Sequence, residues 1–155
     1  MIMIQYIEAY NTAKSFVKTF EIIDALTLEE KTELAIPLVV NGSFACELLF
    51  KSFLPAGVRG HKLYDDIFIK LEKYNNRLSI EITNNVIEMQ TLLLGGKKNY
   101  TAEKFKQDLI IAQDDFELYR YAHEQGRIPN KRVCDVSFLR ILISTLMKMI
   151  EAEPN

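Results

Sequence analysis

Apolar residues recur along this chain at the 3.6-residue period of amphipathic helices, almost from end to end. From Ile2 to Asp24 the stripe reads Tyr6, Tyr10, Ala13, Phe16 or Val17, Phe20 and Ile23, which predicts a first helix. Thr27 and Glu30 stand in S/T-x-x-E order, where the threonine hydroxyl takes an amide of the first turn and the glutamate reaches back to the threonine amide. A second helix is therefore predicted from about Leu28. Pro37 removes one backbone donor and crowds the carbonyl four residues back, so a kink or restart is expected there. The helix then continues to about Leu54 with Leu34, Leu38, Ala45, Leu48 and Leu49 on one side, until Pro55 and Gly57 stop it.

Gly60 precedes a third helix whose core face is Leu63, Ile67, Leu71 and Tyr74, and Asn75-Asn76 turns the chain. Leu78, Ile82, Val86, Met89 and Leu93 predict a fourth helix, although the β-branched residues in this stretch also suit a strand. Gly95-Gly96 ends it. Thr101 is placed to cap a fifth helix carrying Phe105, Leu109, Ala112 and Phe116, with Arg120 and His123 continuing the same face. After Gly126 and Pro129, a last helix is expected from about Arg132 to Ala152 on Val136, Leu139, Ile143, Leu146 and Ile150. No repeat or linker divides the chain. The expectation is a single all-α domain over residues 1–152, an up-and-down bundle of about five or six helices.

Composition acts mainly by exclusion. A chain of 155 residues buries roughly 70% of its unfolded surface, enough for one core. Its 48% hydrophobic content is too high for a disordered chain. A net charge of -2 argues against general attraction to nucleic acid and leaves room only for a local basic patch. Cys46 and Cys134 fit neither a zinc spacing nor a disulfide framework, so a reducing, cytoplasmic setting is the default. There is no basic segment leading into an apolar one at the start and no run of 18 apolar residues, so neither secretion nor membrane spanning is expected. The adjacent pairs Asp65-Asp66 and Asp114-Asp115 point to different helix sides and are assigned to solubility rather than to a metal. No cofactor is expected.

The candidate chemistry lies where polar residues interrupt apolar stripes. Glu47 shares its face with Phe44, Lys51 and Leu54, and a carboxylate there must be paired. A structural ion pair with Lys51, or across the bundle with Arg120, is favoured over a catalytic or binding role. Arg120 could clamp a phosphate through its planar fork or simply tie helices together. His61, at a helix start, is read first as a cap or packing residue and second as a catalytic base. His123 lies beside Arg120, Glu124 and the basic loop Arg127, Lys131 and Arg132, a setting that favours the neutral ring a general base requires. Asn41 is read as a buried hydrogen-bonding residue before a ligand contact. Tyr119 and Tyr121 suit packing first and base stacking second. Together with Lys97 and Lys98, the basic loop would make a small rim suited to a phosphate-bearing ligand. Phe138, Leu142 and Met147, outside the main stripe of the last helix, suggest a second chain and hence a homodimer.

The segments NGSFACELLFKSFL, GHKLYDDIFIKL and Arg120-Tyr121-Ala122-His123-Glu124 resemble the core signature of HEPN-domain proteins, in a branch with a late R-Y-x-x-E segment. The resemblance covers the second, third and fifth predicted helices. It implies a compact all-α bundle, frequent dimerisation, prokaryotic origin, and association with RNA, nucleotides or toxin-antitoxin and defence systems. Many such proteins that cleave RNA without metal use an arginine followed after four to six residues by a histidine. No arginine stands in that relation to His61 or His123. The expectation is therefore a non-catalytic HEPN-like module that binds RNA, a nucleotide or a partner protein such as an antitoxin, with Arg120, His123, Glu124, Glu47, Lys51, Asn41 and Arg127 as its binding residues. The alternatives are a metal-independent ribonuclease using His61 or His123 as base with Arg120 or Arg127 stabilising charge on phosphorus, and a dimeric scaffold without a small ligand.

Overall fold

A computed structural model describes residues 3–93, 99–121 and 136–152. The protein is an all-α bundle, and its helices are α1 (Ile7–Asp24), α2 (Leu28–Glu33), α3 (Ala35–Ser52), α4 (Ile69–Tyr74), α5 (Asn76–Leu93), α6 (Ala102–Arg120) and α7 (Val136–Glu151), with a π-helical segment, Leu63–Phe68, leading into α4. No strand occurs among the described residues, so the β-branched run of α5 is helical, with Leu78, Ile82 and Val86 buried at helical spacing and Ile80 and Leu93 exposed. None of these helices is long and apolar enough to cross a membrane.

Helix α3 is the axis of the fold. Ten of its 18 residues are buried, because α1, α6, α7 and the π-helical segment all pack against it. Gly42 makes this possible at the crossing with α1 and α7, where a Cβ would lie 2.7 Å from the Phe20 ring and 3.2 Å from Leu139. The core is rich in phenylalanine. Phe50, Phe68, Phe105 and Phe138 form a relay of ring contacts at 5.7, 5.5 and 6.1 Å between centroids, linking α3, the π-helical segment, α6 and α7 through edge and tilted packing.

Boundaries follow local chemistry. Thr27 and Glu30 form the expected reciprocal cap, with the Glu30 amide donating to Thr27 Oγ1 at 3.3 Å and the Thr27 amide to Glu30 Oε2 at 3.0 Å. The restart expected at Pro37 occurs at Leu34, whose φ of -104° and ψ of 19° separate α2 from α3. Proline is thereby in the first turn of α3, where no intrahelical donor is lost. This break, with seven α-helices now described, replaces the five or six expected. Helix α1 starts at Ile7 rather than near Ile2, because the amides of Gln5 and Tyr6 donate instead to the Ser52 carbonyl at the end of α3, at 2.8 and 3.1 Å. Its buried face is Ala9, Ala13, Val17, Phe20 and Ile23, and Tyr10 and Phe16 are only partly buried.

The second apolar face of the last helix has its partner within the chain. Phe138 and Leu142 are fully buried alongside Leu139 and Leu146, since α7 is covered by α3 on one side and α5 on the other. Of the three residues read as a second face, Phe138 and Leu142 are thus covered within the chain, while Met147 is only partly buried.

Candidate functional site

Glu47 enters the core on α3 because the positions around it are apolar, and it ends 1% exposed. Its Oε1 accepts two bonds, from Lys51 Nζ at 2.8 Å and from His61 Nδ1 at 2.9 Å. The ion pair with Lys51, one turn on, is the one the spacing predicted. The partner across the bundle is His61, not Arg120. A carboxylate only accepts, so the contact assigns the ring hydrogen to Nδ1 and leaves Nε2 as an open acceptor in the neutral ring. The His61 side chain is 62% exposed, so the ring stands largely in solvent. Glu47 Oε2 is buried and has no hydrogen-bond partner among the described residues. Both contacts therefore converge on a single oxygen.

The loop that delivers His61 is shaped by two polar residues. Gly60 has φ +106°, a conformation that side-chain-bearing residues rarely adopt. Just beyond it, Asp66 Oδ2 accepts the backbone N–H groups of His61 and Lys62, each at 3.1 Å. The Lys62 amide, followed by that of His61, holds the Asp66 carboxyl below its usual range against the opposing effect of burial. From α6, Gln113 Oε1 accepts the amides of Tyr64 and Asp65 at 2.9 and 3.1 Å, while its Nε2 donates to Asp65 Oδ2 at 2.9 Å. The two side chains satisfy four leading amides around the start of the wide π-helical turn. Asp65 and Asp66 are thus structural acceptors rather than solubilising charges, and Asp115 is buried in α6. For Asp66 the reason is local, since amides released at a helix start recruit a nearby carboxylate, whereas Asp65 is held by Gln113 from α6.

Beside this loop lies a cleft of about 230 Å³ bounded by Gly60, His61, Lys62 and Asp66 on one wall and Gln113, Phe116, Glu117, Arg120 and Tyr121 on the other. His61 and Arg120, far apart in sequence, share it. Arg120 is exposed, and its guanidinium carbon lies 5.9 Å from the Phe116 ring centroid and 5.4 Å from that of Tyr121. The aromatic contacts orient the cation while its donors stay open to a ligand. This corrects the core-facing placement read from periodicity: the buried stripe of α6 ends at Phe116, and the next turn emerges from the core. Tyr119 packs against the core, and exposed Tyr121 belongs to the cleft wall.

Asn41 is half-buried and spends its amide on the Pro37 carbonyl of its own helix, at 2.7 Å, away from the cleft lining. Lys51 serves Glu47. Lys62, Gln113 and Glu117 escaped sequence reasoning. Gln113 alone carried a signal, as a polar residue next to Ala112 on a buried stripe. The predicted roles of His123, Glu124 and Arg127, and the basic rim of Lys97, Lys98, Lys131 and Arg132, lie outside the described residues. No family model, curated protein or solved structure matches this chain.

Proposed function

We propose that the chain is a HEPN-like helical module that binds a phosphate-bearing ligand, RNA or a nucleotide, in the cleft between His61 and Arg120. The observation that supports this reading is the convergence of His61, Lys62 and an aromatic-backed Arg120 on one cleft. Cations held by packing lose little freedom when they engage a phosphate, and the exposed Tyr121 ring is available for a base to stack on. The test is a titration of short single-stranded RNA and of nucleoside mono- and triphosphates at two salt concentrations. Arg120→Ala and His61→Ala are expected to weaken binding with no change in fold, and added salt to weaken the wild type more than Arg120→Ala. Equal binding by wild type and both variants would reject the reading.

One observation favours a second reading, metal-independent RNA cleavage. The Glu47 to His61 hydrogen bond of 2.9 Å presents Nε2 as a base would be presented, with Arg120 on the facing wall to stabilise charge on phosphorus. Incubation with RNA in the presence of chelator, comparing His61→Ala, Glu47→Gln, His123→Ala and Arg120→Ala, separates cleavage from binding. In a toxin-antitoxin or defence setting either activity would be held in check by a partner protein. A homodimer would have to use apolar residues away from α7, such as exposed Ile80, Ile110 and Ile111, and sedimentation of the purified chain decides it.

A further inference from the structure

The cleft between His61 and Arg120 contains a carboxylate that phosphate binding does not explain. Glu117 lines it from α6 and is exposed. The other carboxyl and amide side chains of that lining are engaged: Asp66 Oδ2 takes the amides of His61 and Lys62, and Gln113 Oε1 those of Tyr64 and Asp65. Among the described residues the Glu117 side chain makes no hydrogen bond or salt bridge, although Arg120 stands three residues on and Lys62 on the facing wall. In a cleft for phosphate alone, such a carboxylate only repels the ligand. It adds binding to a group that offers two N–H donors side by side. Of the four bases, guanine alone offers them on its Watson–Crick edge, N1–H beside the N2 amine. Adenine and cytosine set a donor beside an acceptor there, and uracil a single donor between two acceptors.

We propose that the cleft selects guanine, with Glu117 accepting from N1–H and the N2 amine, the base lying against the Tyr121 ring, and Arg120 taking the phosphate. The proposal rests on the phosphate-binding reading of the same cleft and adds the identity of the base. The Tyr121 amide donates to the Glu117 carbonyl at 3.2 Å, so the two residues are one helical turn apart and their Cβ atoms about 5–6 Å from each other. A base on the tyrosine ring therefore brings its edge to the carboxylate. The Arg120 guanidinium carbon, 5.4 Å from the same ring centroid, stands where a phosphate on that nucleotide can reach it.

The experiment is isothermal titration of the full chain with the 5′-monophosphates of guanosine, inosine, adenosine, cytidine and uridine, and with ribose 5-phosphate as the base-free comparison. The guanosine compound is expected to bind about five- to tenfold tighter than those of adenosine, cytidine and uridine, the lower part of the range for a bidentate base contact. Inosine falls between them, because it keeps N1–H and lacks the second donor. Glu117→Gln abolishes the preference for guanosine and improves adenosine, since an amide presents the donor and acceptor that match the adenine edge. Arg120→Ala weakens every compound, ribose 5-phosphate included. Equal affinity for all the nucleotides, or a guanosine preference that survives Glu117→Gln, overturns the base assignment. Arg120-dependent binding of ribose 5-phosphate in that case leaves the phosphate reading standing, whereas absence of all binding removes both. Guanine in RNA and in a free nucleotide offers the same edge, and the pentamer UUGUU set against the monophosphate tells the sources apart. Tighter pentamer binding identifies RNA, the reverse order a free nucleotide, and either order with the guanine preference intact supports the assignment.

Discussion

Gly60 shows how much the candidate site depends on single residues. Its φ of +106° and the 2.5 Å approach of a hypothetical Cβ to Asp66 Cβ mean that Gly60→Ala strains the backbone and displaces the residue that caps His61. A loss of about 1–3 kcal/mol in stability is expected by thermal or denaturant unfolding. Substitutions of Glu47 and His61 should differ in how much stability they cost. Glu47→Gln strips the counter-charge from Lys51, whose side chain is 13% exposed, and a cost of about 3 kcal/mol is expected. His61→Ala, on a ring that is mostly solvent-exposed, should cost less than about 1 kcal/mol. Chemical denaturation of both variants checks the contrast. A large cost for His61→Ala would make the histidine a structural residue and weaken any functional role for the cleft. That Glu47 needs a partner was readable from its place in an apolar stripe. Which base answers it across the bundle was not, because periodicity along one helix carries no information about where another loop lands.

At the scale of elements, α3 explains the fold's tolerance and its weakness. One close crossing on it lies at Gly42. Gly42→Ala would push a methyl into the Phe20 ring at 2.7 Å and separate α1 or α7 from α3. Overpacking of this kind is expected to cost about 1–3 kcal/mol, measured as a fall in the denaturant midpoint with unchanged helical content. Periodicity located the helices well because burial on one face needs apolar residues every three or four positions. It misjudged their ends where tertiary contacts compete for backbone groups. The amides at Gln5 and Tyr6 go to Ser52 of α3. Asn75 Oδ1 accepts the Leu78 amide at 3.1 Å and starts α5 immediately after α4. The π-helical turn after Lys62 had no signal in the pattern of apolar residues, since it depends on Gln113 from α6.

At the scale of the molecule, two carboxylates tie stability to acid. Asp24 joins α1 to α7 through Arg140, whose Nε and Nη2 donate at 2.6 and 2.8 Å, with Lys31 at 3.3 Å. The Arg140 hydrogen bonds hold its carboxyl below the ordinary 3.8 despite some burial. Because the folded-state value is lowered, the contribution is complete above 3.8 and disappears as pH falls through the folded value. Asp66 acts in the same direction. The stability gap between wild type and Asp24→Asn should therefore be constant near neutral pH and close on acidification below 3.8. Thermal unfolding at a series of pH values tests this, and a gap that widens in acid would contradict it. By itself the sequence determined the all-α class, the approximate helix positions, the Thr27 cap and the need to pair Glu47, because each depends on spacing within one segment. Only the tertiary structure decided that His61 anchors on Glu47, that Arg120 leaves the core to face it, and that Phe138 and Leu142 are buried within one chain. Those outcomes depend on which distant helices meet, and packing of side chains across the bundle sets that.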